Sequence, residues 1–560
     1  MGAPQELGRS CRLHGRIPGG GYRVTNSRPV AWHSVAAGET KTAERSHGTA
    51  KRRQRSAAEW AAGSRSALIL PAKRGSAIRA DPVEESGAPE HGTVVGKYDE
   101  CLEIRAAYLR WQQRIAMLAK RSPQMGFTSL AYLMDVDWLR EAFHRTRKDG
   151  APGVDGQTWT EYAKDLEDNL QSLLDRAKSG TYRAPPVRRV HIPKAGSTTE
   201  TRPDQPAVGA RIPTLEDKVL QRAVVMVLEP IYEHDFCECS YGFRPGRSAH
   251  QALEALWKQT MNIGGGWILE VDIRKFFDTL DHAHLRTFLQ NRMRDGVLKR
   301  LIGKWLKAGV MEDGNVSYPD SGSRAPTAGW SGGVISPILA NVFLHYVLDM
   351  WFEEEVKPRL RGRAYLVRYA DDFVIGFARE DDARRVMDVL PKRFGKYGLT
   401  IHPEKTRLIP FQKPRFEATG KDDDRNDRPG TFTLLGFTHY WGRSRKGRWV
   451  VKRQTASKRL SRAVRSIAQW CRFHRHRPVA EQHQMLSQKV RGHYAYYGIT
   501  ANGRSLACFL DAVKRCWRKW LNRRDRQRMM DWDKFHRLLE RYPLPPPKIV
   551  HSVYAHAANP

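Results

Sequence analysis

Apolar and polar positions divide this chain into stretches of different character. Up to about residue 95 it is rich in Gly, Arg, Ser and Ala and shows no sustained apolar period. That pattern predicts a disordered basic extension over 1–95. From Tyr98 onward, Leu102, Ile104, Tyr108, Leu109, Trp111 and Ile115 predict a helix. Trp138 to Phe143 begins another, and Lys148-Asp149-Gly150-Ala151-Pro152-Gly153 ends it, giving a helical segment over 96–149. Between 150 and 440 short apolar runs alternate with helical periods, the mark of an α/β segment. Beyond about Thr455 the chain turns helical and basic. Leu460, Val464, Ile467 and Cys471 form one stripe, and Leu506, Phe509, Leu510, Val513, Trp517, Trp520 and Leu521 a second. An all-α region over 441–524 is expected, followed by a short basic tail over 525–560.

Within the α/β segment one pattern carries chemistry. Ala364-Tyr365-Leu366-Val367 and Phe373-Val374-Ile375-Gly376-Phe377 flank Tyr369-Ala370-Asp371-Asp372. This reads as strand, tight turn, strand, with two acids at the tip. A solvated turn would look the same. A third acid, Asp272, closes the run Trp267-Ile268-Leu269-Glu270-Val271. Three carboxylates at one sheet edge suit a hard divalent cation such as Mg²⁺. They also match two-metal phosphoryl transfer, in which the ions stand about 4 Å apart.

The wider set of motifs resembles a family. Gly150-Ala151-Pro152-Gly153-Val154-Asp155-Gly156, Arg188-Arg189-Val190-His191-Ile192-Pro193-Lys194 and Ile212-Pro213-Thr214-Leu215-Glu216-Asp217-Lys218 precede Ser240-Tyr241-Gly242-Phe243-Arg244-Pro245-Gly246-Arg247-Ser248. Gly332-Gly333-Val334-Ile335-Ser336-Pro337 and the Tyr-Ala-Asp-Asp box follow. In this order, from about Phe127 onward, they resemble bacterial group II intron-encoded reverse transcriptase/maturases. The resemblance implies an α/β (α+β) right-hand polymerase, with fingers and palm at 150–440, followed by an all-α basic thumb/maturase region. It implies an RNA-directed DNA polymerase that also binds its intron RNA and assists splicing and retrohoming. Its expected partners are the group II intron RNA, an RNA template, a DNA primer, dNTPs and a DNA target, with no membrane and with a homodimer left open. A bacterial cytoplasmic location, nucleoid-associated during mobility, goes with that reading.

The resemblance also assigns residues. Two Mg²⁺ ions would be held by Asp272, Asp371, Asp372 and the backbone carbonyl of Ile273. Lys405 would lie near the triphosphate and could protonate the departing pyrophosphate. Lys194, Arg202 and Arg211 lie where the fingers need cations for the triphosphate, and Gly332 and Gly333 border the pocket. Phe276 or Phe277 would sit under the sugar and exclude a 2′-hydroxyl, while at least one of the two rings packs in the palm. Arg491, Tyr494 and Tyr497, in a segment similar to the family's maturase motif, could contact RNA by charge and stacking. Lys514, Arg515, Arg518 and Lys519 offer a phosphate track.

Composition agrees. The formal net charge is +35 and the pI about 10.1, the balance of a polyanion-binding protein. Seven cysteines in 560 residues make no disulfide framework. Cys237-Glu238-Cys239 with His234 lacks the second ligand pair of a zinc site. The C-terminal part carries no Cys-x-x-Cys with histidines of the kind that marks an HNH nuclease in many relatives, so second-strand cleavage is not expected. Two loops depart from the family. Eight residues separate Arg202-Pro203 from Ile212-Pro213, and Arg324-Ala325-Pro326-Thr327-Ala328-Gly329-Trp330-Ser331 lacks the glutamine that relatives carry before the paired glycines. These loops keep two alternatives open: a splicing maturase with a decayed polymerase site, or a reverse transcriptase of another lineage such as a retron.

Overall fold

The computed structural model describes residues 94–192, 208–312, 315–318, 332–414, 430–524 and 529–552. The extension expected over 1–95 lies outside these residues up to residue 93, as do Lys194, Arg202 and the segment Arg324–Ser331.

The described residues open with α1 (Val94–Arg121), α2 (Val136–His144), α3 (Trp159–Tyr162) and α4 (Leu166–Ser179), and α1 and α2 pack on α5 (Leu215–Asp235). Local caps fix where these helices begin. Asp135 accepts from the Trp138 amide, Thr158 and Glu161 form a capping box, and Thr214 accepts from the Asp217 amide. Helix α5 is buried on most of its surface, with Val219, Leu220, Val224, Val227 and Leu228 fully enclosed. Pro230 lies inside it and has no amide to offer the Met226 carbonyl, so Gln112 of α1 donates to that oxygen at 3.0 Å.

Asp217, on the first turn of α5, is buried and accepts hydrogen bonds from the Tyr182 hydroxyl and from Trp305 Nε1 (2.8 Å). Burial pushes its carboxyl up to about 6, against the pull of those two donors. The folded protein therefore holds this proton more tightly than the unfolded chain. Stability contributed by the protonated form is full below the ordinary carboxylate value of 3.8 and is lost as pH rises through about 6, by about 3 kcal/mol. Asp217→Asn keeps an acceptor for both donors. It should remove that loss, so thermal melts at pH 4.5 and pH 7 should converge relative to wild type.

Strands β1 (Val187–Ile192) and β2 (Val208–Ile212) pair antiparallel, with Val190 opposite Ala210. Next come α6 (Ala249–Ile263), β3 (Trp267–Val271), α7 (Phe276–Thr279), α8 (His282–Arg292) and α9 (Gly296–Leu306). Short strands β4 (Val310–Glu312) and β5 (Asn315–Ser317) extend the first sheet to the order β2-β1-β4-β5. Helix α10 (Ser336–Leu344) then widens into π-helical turns over His345–Asp349 and Trp351–Val356. Strands β6 (Ala364–Tyr369) and β7 (Asp372–Phe377), helix α11 (Glu380–Lys396) and β8 (Arg407–Pro410) complete a second sheet ordered β6-β7-β3-β8. Near-continuous apolar runs in β6 and β7 match their burial on both faces.

A three-stranded sheet of β9 (Phe432–Leu434), β10 (Phe437–Arg443) and β11 (Trp449–Thr455) leads into the helices α12 (Ser457–Phe473), α13 (Val479–Tyr497) and α14 (Gly503–Leu521). The boundary expected at 440/441 therefore falls inside β10, and the all-α part begins at Ser457. The expected tail is also corrected. It carries α15 (Trp532–Arg541), whose Phe535 is fully buried against Trp517, with Leu544 in the same cluster. A segment this short cannot enclose a core of its own, so its apolar face completes that of the bundle.

Candidate active site

The β6–β7 hairpin has a two-residue turn. Tyr369 pairs with Asp372, leaving Ala370 and Asp371 at the tip. Ala370 has φ +58°, a left-handed conformation that such a tight turn requires. Strand β3 lies beside β7 with Val271 opposite Phe373, so Asp272 leaves the sheet at the same end as Asp371 and Asp372. On its other side Asp272 is tied down by the His402 amide, which donates to its carbonyl at 2.8 Å. The Arg274 amide donates to the Thr400 carbonyl, so the Ile273–Ile401 bridge is made by neighbouring groups and does not use the Ile273 carbonyl.

Charge at this edge is unbalanced. Burial raises the Asp371 carboxyl, and the negative charge of Asp272 adds to it. Burial, then the like charges of Asp371 and Asp272, push Asp372 up to about 6, with Arg459 pulling the other way. Asp372 stands open to solvent at the turn, which relaxes the desolvation part; the carboxylate repulsion persists. Lys405 Nζ sits 2.8 Å from Asp272 Oδ2, a cation already standing on the third acid. Hard oxygen donors that repel one another and draw in an ammonium group fit a divalent cation in chemistry and charge. Among the described residues no three His, Cys, Asp or Glu side chains are gathered closely enough to cage an ion.

A cavity of about 630 Å³ opens beside the carboxylates. Its acids are Glu270, Asp272, Asp372 and Glu404, and Lys405, Arg407, Lys458 and Arg459 face them. Leu435 and Gly436 also line it. Both have positive φ, +51° and +81°, and form the turn between β9 and β10, so a tight hairpin turn explains this glycine. Of the five non-glycine residues with positive φ among those described, Phe243, Lys275, Ala370 and Leu435 all lie on segments that border these carboxylates. Clustered strain of this kind is typical of sites held in place by their surroundings.

The hairpin is held from beneath by a network centred on Arg368 and Asp349, which the sequence patterns did not single out. Arg368 is fully buried in β6 and makes a bidentate pair with buried Asp349, at 2.7 and 2.5 Å. It also donates to Asn341 Oδ1 (2.9 Å), Ser240 Oγ (2.7 Å) and the Ala370 carbonyl in the turn (3.0 Å). Asp349 closes the first π-helical stretch. The available signal was an arginine inside an otherwise apolar strand. Gly242 lies against the turn as well; a Cβ there would meet the Ala370 nitrogen at 2.3 Å.

The other expected site residues fall in different places. Gly332 has φ +94° and packs on the Arg211 backbone, and Gly333 faces the Gln221 side chain of α5. Arg211 is buried in β2 beside them. Phe276 is a core residue at 2% exposure, packed on Phe277 and Phe343, so it is corrected as a sugar-contacting ring; Phe277 is only partly buried.

Residues 192–439 match the reverse transcriptase (RNA-dependent DNA polymerase) family. Protein YkfC of Escherichia coli K12 is 36% identical over 297 residues, covering 47% of this chain and 74% of that protein. The group II intron-encoded protein LtrA of Lactococcus lactis subsp. cremoris is 38% identical over 201 residues, 35% of this chain and 31% of LtrA. This chain belongs to the group II intron reverse transcriptase/maturase family. A further relative is an uncharacterized 91 kDa protein in a cob intron of Schizosaccharomyces pombe, 35% identical over 189 residues, 33% of this chain and 21% of that protein. The chain thus spans most of YkfC but about a third or less of the named intron proteins. Reverse transcriptases of this kind are RNA-directed DNA polymerases, and their domains are generally dependent on a divalent metal. No helix among the described residues is long and apolar enough to cross a membrane.

Within this reverse transcriptase, the segment Arg491–Ile499 ends α13 and clamps the bundle to the β9–β10 hairpin. The Tyr496 hydroxyl donates to the Leu435 carbonyl at 2.8 Å, the Tyr497 ring lies 5.3 Å from that of Phe437, and His250 meets the Tyr496 carbonyl at 2.8 Å. Tyr494 is 3% exposed in the bundle core, with its hydroxyl on the Pro545 carbonyl, so it cannot stack on a base and is corrected as an RNA contact. Tyr497 is half-buried, whereas Arg491, Arg515 and Lys519 are exposed and Lys514 is partly so. Arg518 lies over the Trp532 ring at 4.1 Å and donates to the Met530 carbonyl, which makes it a fastener for α15.

Proposed function

We propose that this reverse transcriptase copies RNA into DNA at the β6–β7 turn while bound to a group II intron RNA, and that it assists the splicing and mobility of that intron. The observation that carries the reading is the convergence of Asp272, Asp371 and Asp372 at one sheet edge beside an open cavity. Two Mg²⁺ ions, when bound, supply a more acidic primer 3′-hydroxyl and counter-charge for the pyrophosphate. Asp272, Asp371 and Asp372 would hold them, with the Ile273 carbonyl as a further oxygen. Lys405 pairs with Asp272 in the free protein and would be the group that gives a proton to the departing pyrophosphate. Lys194, Arg202 and Arg211 with the Gly332–Gly333 backbone take the triphosphate end, and Phe277 takes the sugar-facing role. The helices from Ser457 onward act as the thumb and maturase part. Extension of a DNA primer on an RNA template by the purified protein tests this directly. Absence of dNTP incorporation beside tight RNA binding would favour the splicing cofactor with a decayed polymerase site, the reading that the altered loop Arg324–Ser331 supports.

RNA affinity should fall steeply with salt, because cation–phosphate contacts release counterions. Reversing the charges of Lys514, Arg515 and Lys519 together should reduce both the affinity and the salt slope, the latter by about two to three units. Arg518 is left out because it holds α15. Filter binding from 50 to 300 mM KCl reads both quantities, and an unchanged slope would remove this face from the RNA path.

A further inference from the structure

Cys237 and Cys239 follow the end of α5, and both are partly exposed. The Ser240 amide donates to the Cys237 carbonyl at 3.1 Å, closing a turn that folds one cysteine towards the other. Their thiols are hydrogen-bonded to each other, and His345 Nδ1 lies 3.8 Å from Cys237 Sγ.

The pair is chemically unequal. The hydrogen bond with Cys239 holds the Cys237 thiol below its ordinary range against the effect of burial, and the His345 imidazole adds to it. The same bond, with burial, holds the Cys239 thiol above that range. Cys237 is therefore the nucleophile, and Cys239 keeps its proton. Burial holds Cys471 and Cys516 in the protonated form as well. No third ligand among the described residues completes a metal cage around the two sulfurs, which leaves them chemistry with each other.

This turn is fastened to the support of the β6–β7 hairpin. The Cys239 carbonyl accepts from the Arg368 amide at 2.8 Å, and Ser240 Oγ accepts from the Arg368 guanidinium at 2.7 Å. Arg244 donates to the Cys237 and Ser240 carbonyls, each at 2.8 Å. His345 begins the π-helical stretch that Asp349, the partner of Arg368, closes. Both thiols thus touch the framework through which Arg368 reaches the Ala370 carbonyl.

We propose that Cys237 and Cys239 form a peroxide-sensitive dithiol that closes to a disulfide and slows DNA synthesis at the neighbouring hairpin; the second half rests on the polymerase reading above. The Cys237 thiolate attacks a hydroperoxide, the O–O bond breaks, and the departing oxyanion takes up a proton from water. Cys237 is then a sulfenic acid. Cys239 attacks that sulfur, the S–O bond breaks, and water leaves with the Cys239 proton. Two electrons pass from sulfur to the peroxide, and a dithiol reductant reverses the change. Residues two apart in a turn lie within the Cα separation that a disulfide spans, about 4.4–6.8 Å. Closure draws the sulfurs from hydrogen-bonding distance to about 2.05 Å. It takes Cys237 from His345 and pulls on the carbonyl that holds β6. A displacement of about 1 Å in a reacting centre can cost about 10²-fold in rate.

The test treats the full chain with a small excess of hydrogen peroxide, and reads thiols by peptide mass spectrometry beside primer extension. The Cys237–Cys239 disulfide should form before exposed Cys508 is oxidised. Extension should slow by about tenfold or more and return with dithiothreitol. Cys239→Ser should stop at a sulfenic acid on Cys237, trapped by dimedone. Cys237→Ser should match wild type in reductant, in melting temperature and in extension, and should no longer respond to peroxide. Oxidation of Cys508 ahead of the pair, or no disulfide within it, would overturn the proposal; this measurement needs no variant. A disulfide that forms with extension unchanged would overturn the switch, as would inhibition that persists in Cys237→Ser. A wild type that extends no primer in reductant yet closes the pair first would reject the polymerase reading and leave the dithiol assignment standing.

Discussion

Replacing Asp371 and Asp372 together with alanine should abolish primer extension, by on the order of 10³-fold or more, and leave RNA affinity nearly intact. The size of the effect follows from what these groups do. They are the two carboxylates of the hairpin turn, proposed above as metal donors, and no other carboxylate among the described residues shares that turn. RNA affinity rests on cations spread over a chain of net charge +35, so it should be indifferent to two acids or rise slightly. Stability should not fall either. Both carboxyls are raised above their ordinary range in the folded protein, Asp371 by burial and by Asp272, Asp372 by burial and by Asp371 and Asp272, so their ionised forms oppose folding above that range. Single-turnover extension, filter binding and a thermal melt on the same preparation read all three outcomes. Undiminished extension by the double variant would reject the metal assignment.

The second large effect lies below the turn. Asp349→Ala should destabilise the protein by about 3–5 kcal/mol, because it leaves the Arg368 guanidinium buried without its counter-charge. Replacing the pair together, as Arg368→Met with Asp349→Leu, should recover much of that stability, since apolar groups of similar volume are tolerated where an ion pair is buried. Extension should not recover with it. The double variant still lacks the donor that Arg368 extends to the Ala370 carbonyl, and the left-handed turn loses its hold. Thermal melts and kcat for extension separate the two consequences. Stability and activity recovering together would mean that the pair serves the fold alone.

Much of the site could be read along the chain because the relevant distances are local. The two-residue turn at Ala370 and Asp371 follows from apolar runs on either side of Tyr369-Ala370-Asp371-Asp372, and β3 ends beside Asp272 as its own pattern predicts. The helical stripes from Leu460 and Leu506 likewise became α12 and α14. Side-chain destinations were less legible. Phe276 and Phe277 are chemically equal and adjacent, and only packing against Phe343 decides that the first is core. Tyr494 and Tyr497 share one motif, yet helical periodicity sends one into the bundle and the other towards Phe437.

What the sequence determined by itself was the family, the alternation of elements and the identity of the three carboxylates, since these rest on residue type and on spacing within single strands and turns. The tertiary structure alone decided what holds them. Arg368 and Asp349 lie 19 residues apart in the chain, and Ser240, which completes their network, is 128 residues from Arg368. The fold alone brings Gly242 against Ala370, sets Lys405 on Asp272 across 133 residues, and turns Met530, Phe535 and Leu544 into the last wall of the bundle core. Such contacts leave no period in the sequence, because their partners are set by how sheets and helices stack and not by the order of neighbours along the chain.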